Sequence, residues 1–172
     1  MLKLVRPHEK YKDSYLRAAA EYKQVGMFVN VDIQEAKEDF SKFVKKIRNR
    51  KYGKDLPPTY PQPEIEYWLV DEETFIGRVG IRPQLSNKQK KKIGHIGISI
   101  RPSKRKKGYG LKGLKIALKK ARSEGLNKVL LICKKSNKAS QKIIKKIGGE
   151  LIEILELKNE PDRLRFQLEL NE

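Results

Sequence analysis

The alternation of apolar and polar positions divides the chain into strands and helices. Near the C-terminus, Leu164, Phe166, Leu168 and Leu170 alternate with polar residues, which is typical of a half-buried strand. Unbroken apolar runs indicate buried strands, whereas apolar residues three and four positions apart indicate helices. The predicted order is a strand at 2–5, helices at 9–24 and 32–47, strands at 65–70, 75–82 and 93–101, a helix at 111–123, a strand at 128–133, a helix at 139–147, and strands at 151–155 and 164–170.

Residues 53–63 interrupt this alternation. Their glycine and four prolines exclude regular structure, so we expect a stiff loop, which is a candidate lid or wall for a substrate. The 172 residues, 38% of them hydrophobic, are enough for one core of ordinary size. We therefore predict a single domain over 1–172.

The chain has no apolar run of about 18 residues and no apolar N-terminal signal segment, which predicts a soluble, cytoplasmic protein with no membrane partner. Cys133 is the only cysteine and lies in an apolar run. We expect it to be buried rather than part of a disulfide or zinc site, and we predict no metal. The sequence leaves a monomer and a homodimer open.

The net charge of +19 is concentrated in one part of the chain. Between Lys88 and Lys146 there are 21 lysines and arginines and one acid, Glu124. Such a field attracts anionic ligands, and it motivates a nucleic-acid- or ribosome-associated basic module as a rival hypothesis. Nucleic acid is the less favoured partner, because a general preference for lysine explains most of the excess and Tyr109 is the only aromatic residue in the segment.

The segment from Arg105 to Gly110 reads R-x-x-G-x-G and joins an apolar strand to an amphipathic helix. Gly108 and Gly110 let the backbone turn tightly and approach a ligand with no Cβ atom in the way. The start of the helix presents free amide N–H groups at the positive end of the helix dipole. This arrangement predicts a site for a phosphorylated ligand such as a pyrophosphate.

A second motif follows in the strand-helix pair after this loop. Asn137 and Ser140 stand in an N-x-x-S spacing between the strand at 128–133 and a short helix that ends at Gly148. Together with the R-x-x-G-x-G loop, this order resembles the GNAT superfamily of N-acetyltransferases, most specifically over residues 93–155. The resemblance implies an α/β (α+β) fold with a mixed, mostly antiparallel central sheet of about seven strands and four helices. It also implies that two central strands splay apart to form an acyl-CoA cleft.

In that family the glycine loop binds the pyrophosphate of acetyl-CoA, and no metal takes part. The resemblance therefore implies acetyl-CoA as the acyl donor and an amine as the acceptor. The cofactor-binding residues that it implies are the loop and the first helical residue, Arg105, Lys106, Lys107, Gly108, Tyr109, Gly110 and Leu111, the strand backbone at Ile98, Ser99 and Ile100, and the polar pair Asn137 and Ser140.

The acid and base of many GNAT members are absent from this chain. The tyrosine seven residues after the asparagine is Ile144 here, and the glutamate eleven residues before the loop arginine is Gly94. The catalytic residues are therefore left open, with His95, Glu66 and Tyr67 as candidates. An imidazole suits base work near neutral pH, although strand alternation points His95 away from the expected face. Glu66 and Tyr67 follow the proline-rich loop, close in sequence to the expected acceptor side.

The leading interpretation is an acetyl-CoA-dependent N-acetyltransferase that acts on a primary amine. The missing acid and base motivate a further alternative, a catalytically silent acyl-CoA-binding GNAT protein. The acceptor itself has no signature in the sequence.

Overall fold

The computed structural model describes residues 1–28, 31–59 and 61–170, whose strands form two antiparallel sheets. The strands are β1 (Leu2–Val5), β2 (Ile65–Asp71), β3 (Thr74–Ile81), β4 (Ile96–Ile100), β5 (Lys128–Lys134), β6 (Glu150–Leu155) and β7 (Arg163–Glu169). The first sheet has the order β1-β2-β3-β4, and the second has the order β5-β7-β6.

The helices are α1 (Lys12–Gln24), α2 (Ile33–Glu38), α3 (Phe40–Asn49), α4 (Asn87–Lys92), α5 (Tyr109–Ser123) and α6 (Lys138–Lys146), with 3₁₀ turns at Glu9–Tyr11, Arg50–Tyr52 and Pro102–Lys104. None of the described helices is long and apolar enough to cross a membrane.

The predicted α/β fold with seven mostly antiparallel strands is confirmed, but the count of four helices is wrong, since the described residues form six α-helices. Asp39 leaves the helical conformation at φ −139°, and its side chain accepts a hydrogen bond from Lys42 N at 2.9 Å. The helix predicted at 32–47 is therefore divided into α2 and α3. Ser86 and Gln89 form a capping box that starts α4 in the polar connection before β4.

The side chains of β2 alternate between the two faces of the first sheet. Trp68 lies on the face covered by α1–α3, and its ring stacks on Tyr15 with 4.7 Å between the ring centroids. Tyr67 lies on the opposite face, in the core beneath α5 together with Leu114 and Ile144. We call these the α1 face and the α5 face.

Within the described residues, backbone pairing between the two sheets occurs just before β4 begins. Gly94 forms an isolated bridge with Leu131, His95 N donates to Leu130 O at 2.8 Å, and Leu130 N donates to Nδ1 of His95 at 2.9 Å. In the described part of the chain no further ladder joins β4 to β5. The two strands therefore border a gap, which we call the β4–β5 gap.

Candidate active site

The N-terminus of α5 carries free amide donors. Gly108, at φ +78°, is the residue before the helix, and no side chain caps it. The first intrahelical bond runs from Lys112 N to Gly108 O at 3.1 Å, so the N–H groups of Tyr109, Gly110 and Leu111 have no partner inside the helix. The first turn holds no acidic side chain. These donors and the helix dipole together favour an anion at this position.

The basic loop before α5 is fastened to the end of β4. Nε of Arg105 donates to Ile100 O at 3.0 Å. Lys106 adopts φ +58°, which turns the chain sharply just before the helix. Lys106 and Lys107 are exposed and make no ion pair within the described residues. The loop residues therefore fit a phosphate group without rearrangement of an existing salt bridge.

The backbone of β4 directs alternate residues into the gap. At its two ends, Arg82 N donates to His95 O and Arg101 N donates to Ile76 O, both at 2.8 Å. Amide groups alternate in direction along an antiparallel strand, so odd-numbered residues of β4 face β3. The N–H and C=O of Ile98 consequently face the β4–β5 gap, where an extended ligand could pair with them.

The other two predicted strand residues are differently placed. Ser99 is opposite Arg78 in the ladder with β3, so its backbone groups face away from the gap. Its carbonyl also accepts a hydrogen bond from the hydroxyl of Tyr22 at 3.0 Å. Burial raises the pKa of Tyr22 to about 12, so this hydroxyl stays protonated and remains a donor. Ile100 faces the gap, but its carbonyl is occupied by Arg105.

The first turn of α5 packs closely against α6 and β4. A Cβ atom on Gly110 would lie 3.0 Å from Cδ1 of Ile143 and 3.9 Å from Cγ1 of Ile100. A side chain at 110 would therefore displace the end of the Ile143 side chain slightly. Asn137 caps α6, because its Oδ1 accepts from Ser140 N at 3.1 Å. Asn137 and Ser140 thus lie together at the start of α6.

A cavity of about 350 Å³ lies on the α1 face, between the first sheet and α1–α3. Its aromatic wall includes Tyr15, Phe28 and Phe43, and its floor includes Glu66 and Arg78. The segment 55–58 of the proline-rich loop forms a further side. The loop is therefore placed as a wall, as the sequence suggested.

A network of charged side chains reaches this cavity at Glu66 and Arg78. Nη2 of Arg78 lies 2.8 Å from a carboxylate oxygen of Glu64 and 2.8 Å from one of Glu66. Arg82 pairs with Glu64 at 2.5 Å, and Nε1 of Trp68 donates to Glu66 at 3.1 Å. Burial alone would raise the pKa of Glu64, but Arg82 and Arg78 outweigh it, so the pKa is lowered. Glu64 therefore stays ionised and is a weak base.

A model of the GNAT acetyltransferase domain matches residues 2–150 of this chain. The chain belongs to the GNAT acetyltransferase family. As a GNAT N-acetyltransferase, it uses acetyl-CoA as its acyl donor. Within the described residues, no three His, Cys, Asp or Glu side chains are grouped as a metal site would require.

Solved structures with the same fold include several acetyltransferases. A microcin self-immunity acetyltransferase in complex with acetyl-CoA and AMP has a TM-score of 0.69 at 15% identity, covering 98% of this chain and 92% of its own. An acetyltransferase from Salmonella typhimurium that modifies the N-terminal serine of a 50S ribosomal subunit protein has a TM-score of 0.67 at 14% identity, with coverages of 99% and 95%.

A spermidine N-acetyltransferase chimera built from a Vibrio cholerae enzyme has a TM-score of 0.67 at 15% identity, with coverages of 98% and 95%. At these identities the neighbours show the GNAT fold alone. No curated protein matches the sequence at a significant level.

The three catalytic candidates of this GNAT domain do not lie together. Glu66 is on the α1 face, whereas Tyr67 is on the α5 face with its hydroxyl 2.9 Å from Glu124. Burial and the Glu124 carboxylate raise the pKa of Tyr67, so it remains protonated. His95 is at the closed end of the β4–β5 gap. Its Nδ1 is occupied by Leu130 N, and burial together with nearby cations lowers its pKa.

Ile144, which stands at the position of the usual GNAT acid, is 6% exposed and belongs to the core beneath α5. A Cβ on Gly149 would lie only 2.5 Å from its Cγ2, so the Ile144 side chain is packed directly against Gly149. A tyrosine introduced at 144 would therefore enter a packed core rather than an open cleft.

Sequence reasoning missed two residues that lie beside Ser99 of β4, on the side away from the gap. Tyr22 contacts Ser99 across 77 positions of sequence, and nothing in its own helix indicates that contact. Arg78 is the only charged residue between Phe75 and Ile81. A lone arginine in an apolar strand was a usable signal for a buried ionic site.

Proposed function

We propose that the protein transfers the acetyl group of acetyl-CoA to a primary amine of an acceptor that occupies the cavity on the α1 face. The observation that carries this proposal is the free N-terminus of α5 at the open end of the β4–β5 gap. The free N-terminus of α5 and the unpaired backbone groups of Ile98 border the same gap, which supports one extended donor ligand bound along it. The cavity is lined by Arg78 of β3, the strand that pairs with β4 on the side away from the gap.

Different residues of the chain bind different parts of the donor. The amides of Tyr109–Leu111 and the charges of Lys106 and Lys107 hold the pyrophosphate. The backbone of Ile98 pairs with amides of the pantetheine arm, and its N–H is the candidate donor to the thioester carbonyl oxygen. That hydrogen bond strengthens as negative charge develops on the oxygen.

In the chemical step, the neutral amine forms a C–N bond with the carbonyl carbon, and the C–S bond breaks. The proton that the amine loses must neutralise the departing thiolate. With Ile144 in place of a tyrosine, the protein offers no acid at the usual position, so the proton passes from the acceptor's own ammonium group or through water. We therefore expect a modest rate, because a positioned acid contributes about 10²- to 10⁴-fold.

Two of the structural neighbours are described as acting on a protein N-terminal serine and on spermidine, and both are primary amines. The test is release of free CoA thiol with and without a panel of amines. We expect release that depends on both an amine and the protein. Tight CoA binding with no amine-dependent release would instead favour the catalytically silent alternative.

A pair of charge reversals tests the donor site. Lys107→Glu changes the loop before α5, whereas Lys119→Glu makes the same change in net charge on the exposed side of the middle of α5. We expect Lys107→Glu to weaken CoA binding, measured by calorimetry, at least tenfold more than Lys119→Glu. Equal effects would show that only the general positive field matters.

A further inference from the structure

Arg78 stands where the acceptor cavity meets the strand that borders the donor cleft. It lies opposite Ser99 of β4 and opposite Trp68 of β2, and its side chain is on the α1 face. Directly opposite residues in an antiparallel pair are about 5 Å apart at Cβ. A ligand oxygen bound by Arg78 would therefore be separated by only a few covalent bonds from an amine nitrogen of the same ligand positioned over β4.

The guanidinium group of Arg78 is fixed in place by only one of its three nitrogens. Nη2 contacts both Glu64 and Glu66 at 2.8 Å. Nε is buried without a hydrogen-bond partner and is shielded from the cavity, so the donors open to a ligand are those of Nη1, which makes no hydrogen bond within the described ranges. The side chain is 30% exposed, and the residue lines the cavity.

The balance of charge at the floor favours an oxygen ligand. Arg50, Arg78 and Arg82 stand against Glu64 and Glu66, so this network keeps one positive charge in excess. On the other walls of the cavity, Asp32, Glu35 and Asp55 outnumber Lys46, so the positive excess is confined to the surroundings of Arg78. Both carboxylates are already engaged by arginine. Unused N–H donors on a cation that is held in a fixed orientation select a carbonyl or carboxylate oxygen and give nothing to an alkyl group.

We propose that Arg78 binds a carbonyl or carboxylate oxygen beside the acceptor amine, so that the acceptor is an α-amino compound, either an amino acid or a peptide N-terminus. This rests on the proposed function, since it concerns the same cavity. Arg78 is then the residue that determines acceptor specificity. Alkylamines and polyamines, which lack the oxygen, are poorer acceptors.

The test compares L-alaninamide with isopropylamine, in which a methyl group replaces the carboxamide group. We expect Arg78→Lys to lower kcat/KM for L-alaninamide about tenfold to a hundredfold, because a lysine keeps the charge but loses the guanidinium donors. The value for isopropylamine should change less than threefold. For each amine, the kcat/KM of the variant is divided by that of the wild type, because this ratio does not depend on the difference in basicity between the two amines.

Arg82→Lys is the matched control. Arg82 belongs to the same network and pairs with Glu64, but it does not line the cavity. The Arg82→Lys variant should keep the wild-type preference for L-alaninamide over isopropylamine. L-alanine and L-alanyl-L-alanine as further acceptors distinguish a free carboxylate from a peptide carbonyl as the bound oxygen.

Binding of L-alaninamide to the CoA-loaded protein, followed by NMR titration, separates this inference from the reaction itself. Binding that Arg78→Lys weakens supports the inference even if no acetyl transfer occurs, and that outcome would remove only the proposed function. Equal losses for both amines, or no binding of L-alaninamide to the wild type, would overturn it. If Arg78→Lys fails to fold, the wild-type protein decides the question. Its kcat/KM, calculated from the concentration of neutral amine, should be higher for L-alaninamide than for isopropylamine, and the absence of this preference would overturn the inference.

Discussion

Replacing Gly108 by alanine isolates the contribution of the free helix N-terminus. Gly108 has φ +78°, and an added Cβ would meet no atom within 4 Å. The methyl group therefore enters open space at the mouth of the β4–β5 gap, where phosphate oxygens would approach the first amides of α5. The change introduces backbone strain but no collision inside the protein.

Gly125 provides a matched control at the other end of the same helix. It has φ +92°, and a Cβ there would also meet nothing within 4 Å. An L-residue in this left-handed region costs about 1–2 kcal/mol. For a domain of this size each kcal/mol lowers Tm by about 2–4 °C. Gly108→Ala and Gly125→Ala should therefore lose similar thermal stability.

Their affinities for CoA should differ. Loss of one hydrogen bond from a backbone amide to a charged phosphate costs about 1.5–3 kcal/mol, which corresponds to about tenfold to a hundredfold in Kd. We expect this loss in Gly108→Ala and wild-type affinity in Gly125→Ala, measured by calorimetry with CoA. Equal affinities in the two folded variants would refute the assignment of the phosphate site.

Three further changes test the surroundings of the cleft. Nδ1 of His95 accepts the Leu130 N–H and its pKa is lowered, so its contribution to stability is present above about pH 6.5 and is lost as the pH falls through the lowered pKa. His95→Gln should therefore flatten the fall in Tm below about pH 6.5, and identical slopes would count against this role. Tyr22→Phe removes the bond to Ser99 and should cost about 1 kcal/mol in thermal denaturation. The buried hydroxyl of Tyr11 has no partner among the described residues, so Tyr11→Phe should be neutral or stabilising, and a comparable loss in both variants would be inconsistent with this difference.

The fold and the position of the glycine loop were predictable because their signals are local. The R-x-x-G-x-G motif sits between a strand and a helix within a few residues, and alternation along β7 identifies its buried side chains without knowledge of its partner. Helix number was not predictable to the same degree. The amphipathic pattern continues through Asp39, so the sequence does not show that the backbone leaves the helical conformation there.

The position of Arg78 on the α1 face was not predictable, because the β2–β3 hairpin contains an irregularity. The register shifts between Leu69 and Val70, which places Arg78 opposite Trp68. Counted regularly from the turn, Arg78 would lie opposite Tyr67, on the α5 face and away from Glu66. A single bulge thus moves one charge between the two faces of the sheet, and periodicity in the sequence does not reveal it.

The most direct test of the account is a crystal structure of the protein with CoA. We predict the pyrophosphate on the amides of Tyr109–Leu111, next to Lys106 and Lys107, with the pantetheine arm in the β4–β5 gap hydrogen-bonded to the backbone of Ile98. A CoA molecule bound elsewhere, or a gap closed by direct pairing of β4 with β5, would contradict the account.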